Sequence, residues 1–199
     1  MQTNTSKDTT IETFQRLILD WAKDKGILDN STAAKQITKT IEEVKETKRA
    51  FDMLQEDSSN KLAAEELVDG VGDVLVTLVI LTKLIDREFP YCDYRIPVEL
   101  ESLLEDAFCL EDSAAAFRDA AITLDELESQ IQRIQRVLNY GGALHDFALN
   151  TLLSAAVHNL YQFCLDMDLD ILECGMVAYR VISKRTGKMV NGIFVKDQA

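Results

Sequence analysis

Residues 67–84 read "LVDGVGDVLVTLVILTKL", and from Val74 to Leu81 only Thr77 interrupts the apolar side chains. The run falls well short of the roughly 20 residues that cross a bilayer, so the rest of the chain must bury it. A helix that is apolar on nearly all sides belongs at the centre of a bundle. With 199 residues, 47% of them hydrophobic, but only eight Gly and two Pro, the chain has little turn punctuation. Long helices are therefore favoured over many short strands. The expectation is an all-α helical bundle, a single domain over 1–199. Asp73, beside the apolar run, needs a chemical reason, because an unpaired carboxylate is costly to bury.

Helical periodicity sets the elements. Ile11, Phe14, Leu17, Ile18 and Trp21 mark one face of a first helix from about Thr10 to Lys25, ended by Gly26. Asn30 and Ser31 are candidate N-caps for a second helix reaching about Leu54, with Ile37, Ile41, Val44 and Phe51 inward. The polar "QEDSSN" is a loop, and a third helix runs from about Lys61 to Ile85 until "EFPYCDYRIP" breaks it. The stretch from about Pro97 to Leu165 is helical again, with breaks near Asp112 and at "NYGG". A last helix from about Leu169 to Lys184 stops at Gly187, and the tail "KMVNGIFVKDQA" is extended.

The net charge of -13 disfavours nucleic acid, whose binding needs Lys and Arg to displace counterions. "MQTNTSKDTT" lacks the apolar segment of a secretory signal, which with the absence of a spanning run predicts a cytoplasmic protein. Cys92, Cys109, Cys164 and Cys174 have no C-x-x-C spacing and stand far from His145 and His158. Buried free thiols are expected, not a zinc site or a redox pair.

Charge is unevenly distributed. No lysine lies between Lys83 and Lys184, and then Lys184, Arg185, Lys188 and Lys196 follow closely. This basic end is either a solvated helix terminus or an anion-binding segment. The acids fall at helical spacing: Glu42, Glu43 and Glu46 on the second helix, and Glu66, Asp69 and Asp73 at i, i+3, i+7 on the third. If the two helices pack antiparallel across their short loop, the stripes can face each other. Like charges in low dielectric take up protons or recruit a cation, and oxygen-only donors suit Mg²⁺ or Mn²⁺.

"EEVKE" and "EELVDGVGDVL" resemble the E-x-x-E…E-x-x-D signature of the all-α, MazG-like nucleoside triphosphate pyrophosphohydrolases. "LDWAKDKGIL", "AAKQITKTIEEVKE" and "LDILECGMVAYRVISKRTGKMVNGIFVK" are similar to the first two helices and to the closing helix and tail of phage-type members. The resemblance covers residues 11–87 and about 165–196. It implies Mg²⁺-dependent cleavage of a nucleoside triphosphate to the monophosphate and pyrophosphate, a house-cleaning role, and a dimer or tetramer. Carried over by position, Glu43 and Glu46 are metal ligands from the first motif, and Glu42 is the candidate base with Glu43 as the alternative. Trp21, Gln36 and Tyr179 are candidates for nucleobase selection. Lys39 is a further candidate substrate contact, and Lys184, Arg185 and Lys188 are candidates for the phosphates.

The sequence departs from the family in three places. Literal matching of E-x-x-D selects Glu66 and Asp69, whereas aligning the apolar run selects Asp73 and leaves Gly70 where a glutamate is expected. Arg180 follows Tyr179 where many relatives carry asparagine. Residues 88–161 are an insertion with the period of another helix pair: either it only packs, or it is a degenerate repeat standing in for a partner's helices. Two other readings stay open, a phosphoribosyl-ATP pyrophosphohydrolase and a non-catalytic helical module that binds nucleotide or protein.

Overall fold

The computed structural model describes residues 10–90, 113–140 and 145–197. Helix α1 (Ile11–Asp24) is capped by the Thr10 side chain and followed by Gly26 at φ 72, the left-handed position that glycine tolerates. A one-turn helix α2 (Ile27–Asn30) comes next, then α3 (Ala33–Glu56) and α4 (Lys61–Leu84). The later helices are α5 (Ser113–Tyr140), α6 (His145–Asp166) and α7 (Ile171–Ile182). The chain then forms strands β1 (Gly187–Val190) and β2 (Ile193–Lys196), paired antiparallel. The expected all-α bundle is the fold, with this hairpin as its one sheet among the described residues. None of the described helices is long and apolar enough to cross a membrane.

Several boundaries differ from the sequence expectation. Asn30 and Ser31 do not cap α3; the Thr32 hydroxyl accepts the Lys35 amide, while Asn30 closes α2 by donating its side-chain amide to the Gly26 carbonyl. Asp170 shortens α7, because its carboxylate accepts the Leu172 and Glu173 amides at 2.8 and 2.9 Å. Gly187 does not stop a helix but begins β1. The tail is a hairpin whose turn, Asn191 (φ 50) and Gly192 (φ 76), has the two positive φ angles of the tightest hairpin connection. Cys92, Cys109 and the break expected near Asp112 lie outside the described residues, as do Gly141 and Gly142 of the expected "NYGG" break, whose Asn139 and Tyr140 still belong to α5. Cys164 and Cys174 are buried free thiols; burial holds the Cys164 thiol well above its usual range and pushes Cys174 up to about 12.

Helix α4 is the axis. Every residue from Gly70 to Thr82 is buried except Asp73, with α3, α7 and α1 packed around it. Two glycines allow the close approach. A Cβ at Gly70 would come within 2.7 Å of the Thr47 hydroxyl on α3, and one at Gly72 would overlap the Cys174 carbonyl and come within 2.8 Å of the Ala178 methyl on α7. The α5–α6 pair lies mainly on α3, where Phe51 meets Phe117 at 5.7 Å and Phe163 at 5.6 Å between ring centroids. Lys48 of α3 reaches Asp125 and Glu128 of α5, each at 2.6 Å. The two helix pairs share one continuous apolar core.

Substituting Gly72→Ala is expected to force α4 and α7 apart and lower stability by about 2 to 3 kcal/mol. Gly192→Ala, on the hairpin, should leave the helical core cooperative. Urea denaturation followed by helix dichroism checks both.

Candidate functional site

The antiparallel packing of α3 and α4 decides which acids meet. Buried Gln36 donates its side-chain amide to the Thr77 carbonyl at 3.2 Å, and Gly70 lies against Thr47. The intervening positions, Glu43 on α3 and Asp73 on α4, are thereby brought together. Glu43 is only 5% exposed. Its carboxylate is held by the half-exposed Lys39 one turn back, Nζ to Oε1 at 2.7 Å, and the same ammonium lies 3.4 Å from the exposed Glu42. Burial opposes the Lys39 charge, but the hydrogen bonds and charges of Glu43 and Glu42 outweigh it and raise the pKa.

Asp73 is the electrostatic centre. Burial first, and then the negative charges of Glu43 and Asp69, push its pKa up to about 7, while Arg185 and Lys39 pull the other way. Five charged groups from α3, α4 and the segment after α7 therefore act on one another around this carboxyl. Asp69 and Asp73 are both partly buried on α4.

The other candidates are dispersed. Glu46 and Glu66 are exposed, as are Lys184 and Lys188, whereas Arg185, Tyr179 and Trp21 are partly buried. The expected convergence of four or five carboxylates is not fully assembled: among the described residues no group of three or more His, Cys, Asp or Glu side chains stands ready to enclose an ion. Gln36 already uses its amide on the α4 backbone, a structural contact. Gly70 cannot carry the glutamate of the resembled signature, because Thr47 occupies the space a side chain would need. Sequence reasoning missed Phe194, whose ring stands edge-on to Trp21 at 6.2 Å. The Asn-Gly turn that carries Phe194 back toward α1 was the signal that could have found it.

The pattern fits a hard divalent cation in its donor chemistry. Glu43, Asp69 and Asp73 offer oxygen only, and burial together with their mutual repulsion raises the Asp73 pKa; a dication would supply positive charge there. Compared with known proteins, the chain matches no family model, no curated protein and no solved structure.

A carboxyl with an ordinary value of 3.8 that is held near 7 in the fold takes up a proton in the native state where the unfolded chain is ionised. Its contribution to stability is thus greatest at low pH and is lost as pH rises through about 7. Asp73→Asn is expected to remove that loss and to melt higher than the parent at mildly alkaline pH. Added Mg²⁺ should raise the parent's melting temperature there and leave that of Asp73→Asn unchanged. Thermal melts across pH, with and without Mg²⁺, read both effects.

Proposed function

We propose that the chain hydrolyses a nucleoside triphosphate to the monophosphate and pyrophosphate in a Mg²⁺-dependent reaction. The observation that supports this most is the placement of Asp73 beside Glu43 and Asp69, with Lys39 and Arg185 acting on the same carboxyl. A metal-bound triphosphate complements such a mixed cluster: carboxylates hold a divalent ion, and cations hold the phosphate oxygens the ion does not reach. In this reading the chain works in the cytoplasm on the nucleotide pool, as a homo-oligomer.

Glu43, Asp69 and Asp73 would hold Mg²⁺ or Mn²⁺, with Glu46 and Glu66 less well placed. The ion, when bound, would neutralise charge developing on the phosphates. Glu42, at the exposed end of the cluster, accepts the proton of the attacking water. The water oxygen bonds to phosphorus as the bridge between the α and β phosphates breaks, and the charge leaves with pyrophosphate. Lys39 turns from Glu43 to a phosphate oxygen, and Arg185 holds the opposite side of the triphosphate. Lys184 and Lys188 are exposed and add long-range attraction in an otherwise acidic protein.

A second reading, a nucleotide-binding module without turnover, is favoured by Gly70, which leaves the cluster one carboxylate short of the resembled signature. A panel of nucleoside triphosphates assayed for pyrophosphate release with Mg²⁺, beside calorimetric binding, separates the two. Release that falls about 100-fold or more in Glu43→Gln supports hydrolysis. Tight binding with no release assigns the module, and neither binding nor release removes both.

Arg185→Ala tests the cationic side. It is expected to raise KM for triphosphate about tenfold with a smaller change in kcat, as loss of a charge-assisted phosphate contact requires. Steady-state kinetics showing a KM equal to the parent's would return Arg185 to a purely structural role.

A further inference from the structure

A cavity of about 390 Å³ opens between α1 and the C-terminal part of α4. Its wall on α1 is Ile11, Gln15 and Leu19, which follow one another at i, i+4 spacing and so share one face of the helix. On α4 the wall is Val79, Thr82 and Lys83. The third side comes from the way α4 ends. Asp86 takes a left-handed φ of 54, its amide donates to the Lys83 carbonyl at 3.1 Å, and the Arg87 amide donates to the Thr82 carbonyl at 2.9 Å. This paired closure turns the chain back on the helix end, and Glu88 and Phe89 thereby join the lining. Thr82 is about 14 Å from Asp73 along the helix axis, so the cavity is separate from the acidic cluster.

We infer that this cavity is a binding site for a small zwitterion with an apolar body, an α-amino acid with a branched or aromatic side chain. The floor decides which part of the ligand is buried. Ile11 and Val79 are buried apolar side chains, and the buried Thr82 hydroxyl already donates to the Val79 carbonyl at 2.8 Å. The depth of the cavity therefore presents apolar surface and no free hydroxyl proton. Charge belongs at the rim. Glu12 and Arg87 have interactions of their own within the fold, whereas the exposed Lys83 ammonium and Glu88 carboxylate make no ion pair with a described residue. One cation and one anion are thus left for the carboxylate and the ammonium of the ligand, and the partly buried Gln15 adds an amide donor. A ligand without net charge is also not repelled by a chain of net charge -13, as a simple carboxylate or phosphate would be. An apolar interior with a few polar groups at its mouth is the usual form of a small-molecule pocket, and the volume falls among those of such pockets.

Calorimetric titration of the full-length protein tests this with L-leucine and L-phenylalanine, with L-leucinamide, which lacks the carboxylate, and with isocaproate, which lacks the ammonium. Both amino acids are expected to bind at one site per chain, and the two analogues about tenfold more weakly or worse. Lys83→Glu reverses the charge that meets the carboxylate and should weaken leucine by about tenfold. Lys83 is exposed and lies outside the triphosphate cluster, so the variant should fold and keep the parent's pyrophosphate release. Methyl NMR spectra locate the ligand: leucine is expected to shift the resonances of Ile11, Leu19 and Val79 and to leave those of Ile37 and Val44 in place. Neither measurement depends on turnover, so the zwitterion site and the triphosphate reading stand or fall separately. No amino-acid binding at millimolar concentration, an equal affinity for isocaproate, or an unchanged affinity in Lys83→Glu overturns the inference.

Discussion

The desolvation of one carboxylate organises this molecule. Helix α4 has to be apolar to serve as the axis of the bundle, and Asp73 is the single interruption in its buried stretch. A charge there cannot be solvated as it would be on a surface helix, so its neighbours determine its state. Two of them are negative and two positive, and the balance leaves the group able to give up or keep a proton close to neutral pH. A surface aspartate would be ionised and indifferent to its surroundings; the state of this one depends on its burial and on the charges beside it.

Helix packing creates that environment. Gly70 lets α3 approach α4 closely and Gly72 does the same for α7, so α4 is gripped from two sides at the level of the acidic cluster. Glycine is a poor helix former, and two within three residues weaken the helix locally. The gain is distance: with larger residues the Glu43 and Arg185 charges would stand farther from Asp73, and the coupling among them would fall. The same closeness excludes a further carboxylate at position 70. Tight packing and a further carboxylate at this level are thus in direct competition, and this sequence favours packing.

Much of the architecture is written in simple periodicity. The faces of α1, α3 and α4 follow from Phe14, Ile37, Val44 and the run after Asp73, because apolar spacing alone determines which side of a helix is buried. The insertion's two helices were legible for the same reason. The acids were harder to rank. Spacing places Glu43 and Glu46 on one helical surface, but the angle between them puts Glu43 into the α3–α4 contact and leaves Glu46 exposed; a one-helix argument cannot distinguish them without the partner helix. Similarly, Lys39 is four residues from Glu43, which makes the pair foreseeable, whereas the influence of Arg185 on Asp73 depends on how α7 crosses α4. The hairpin was readable from "NG" between apolar residues, a local signal that the extended reading of the tail passed over.

The link between Lys35 and Asn191 joins positions 156 residues apart in the chain. Contacts of such separation form slowly and late, because the intervening chain must be ordered before the contact gains anything. The acidic side of the cluster is made early in synthesis and the side bearing Arg185 and Phe194 much later, after the whole α5–α6 pair has emerged. During that interval Glu43 and Asp73 have only Lys39 to balance them, and the nascent chain carries a half-built site that is more negative than the finished one. The order of manufacture therefore leaves the charges around Asp73 unbalanced until the core has closed.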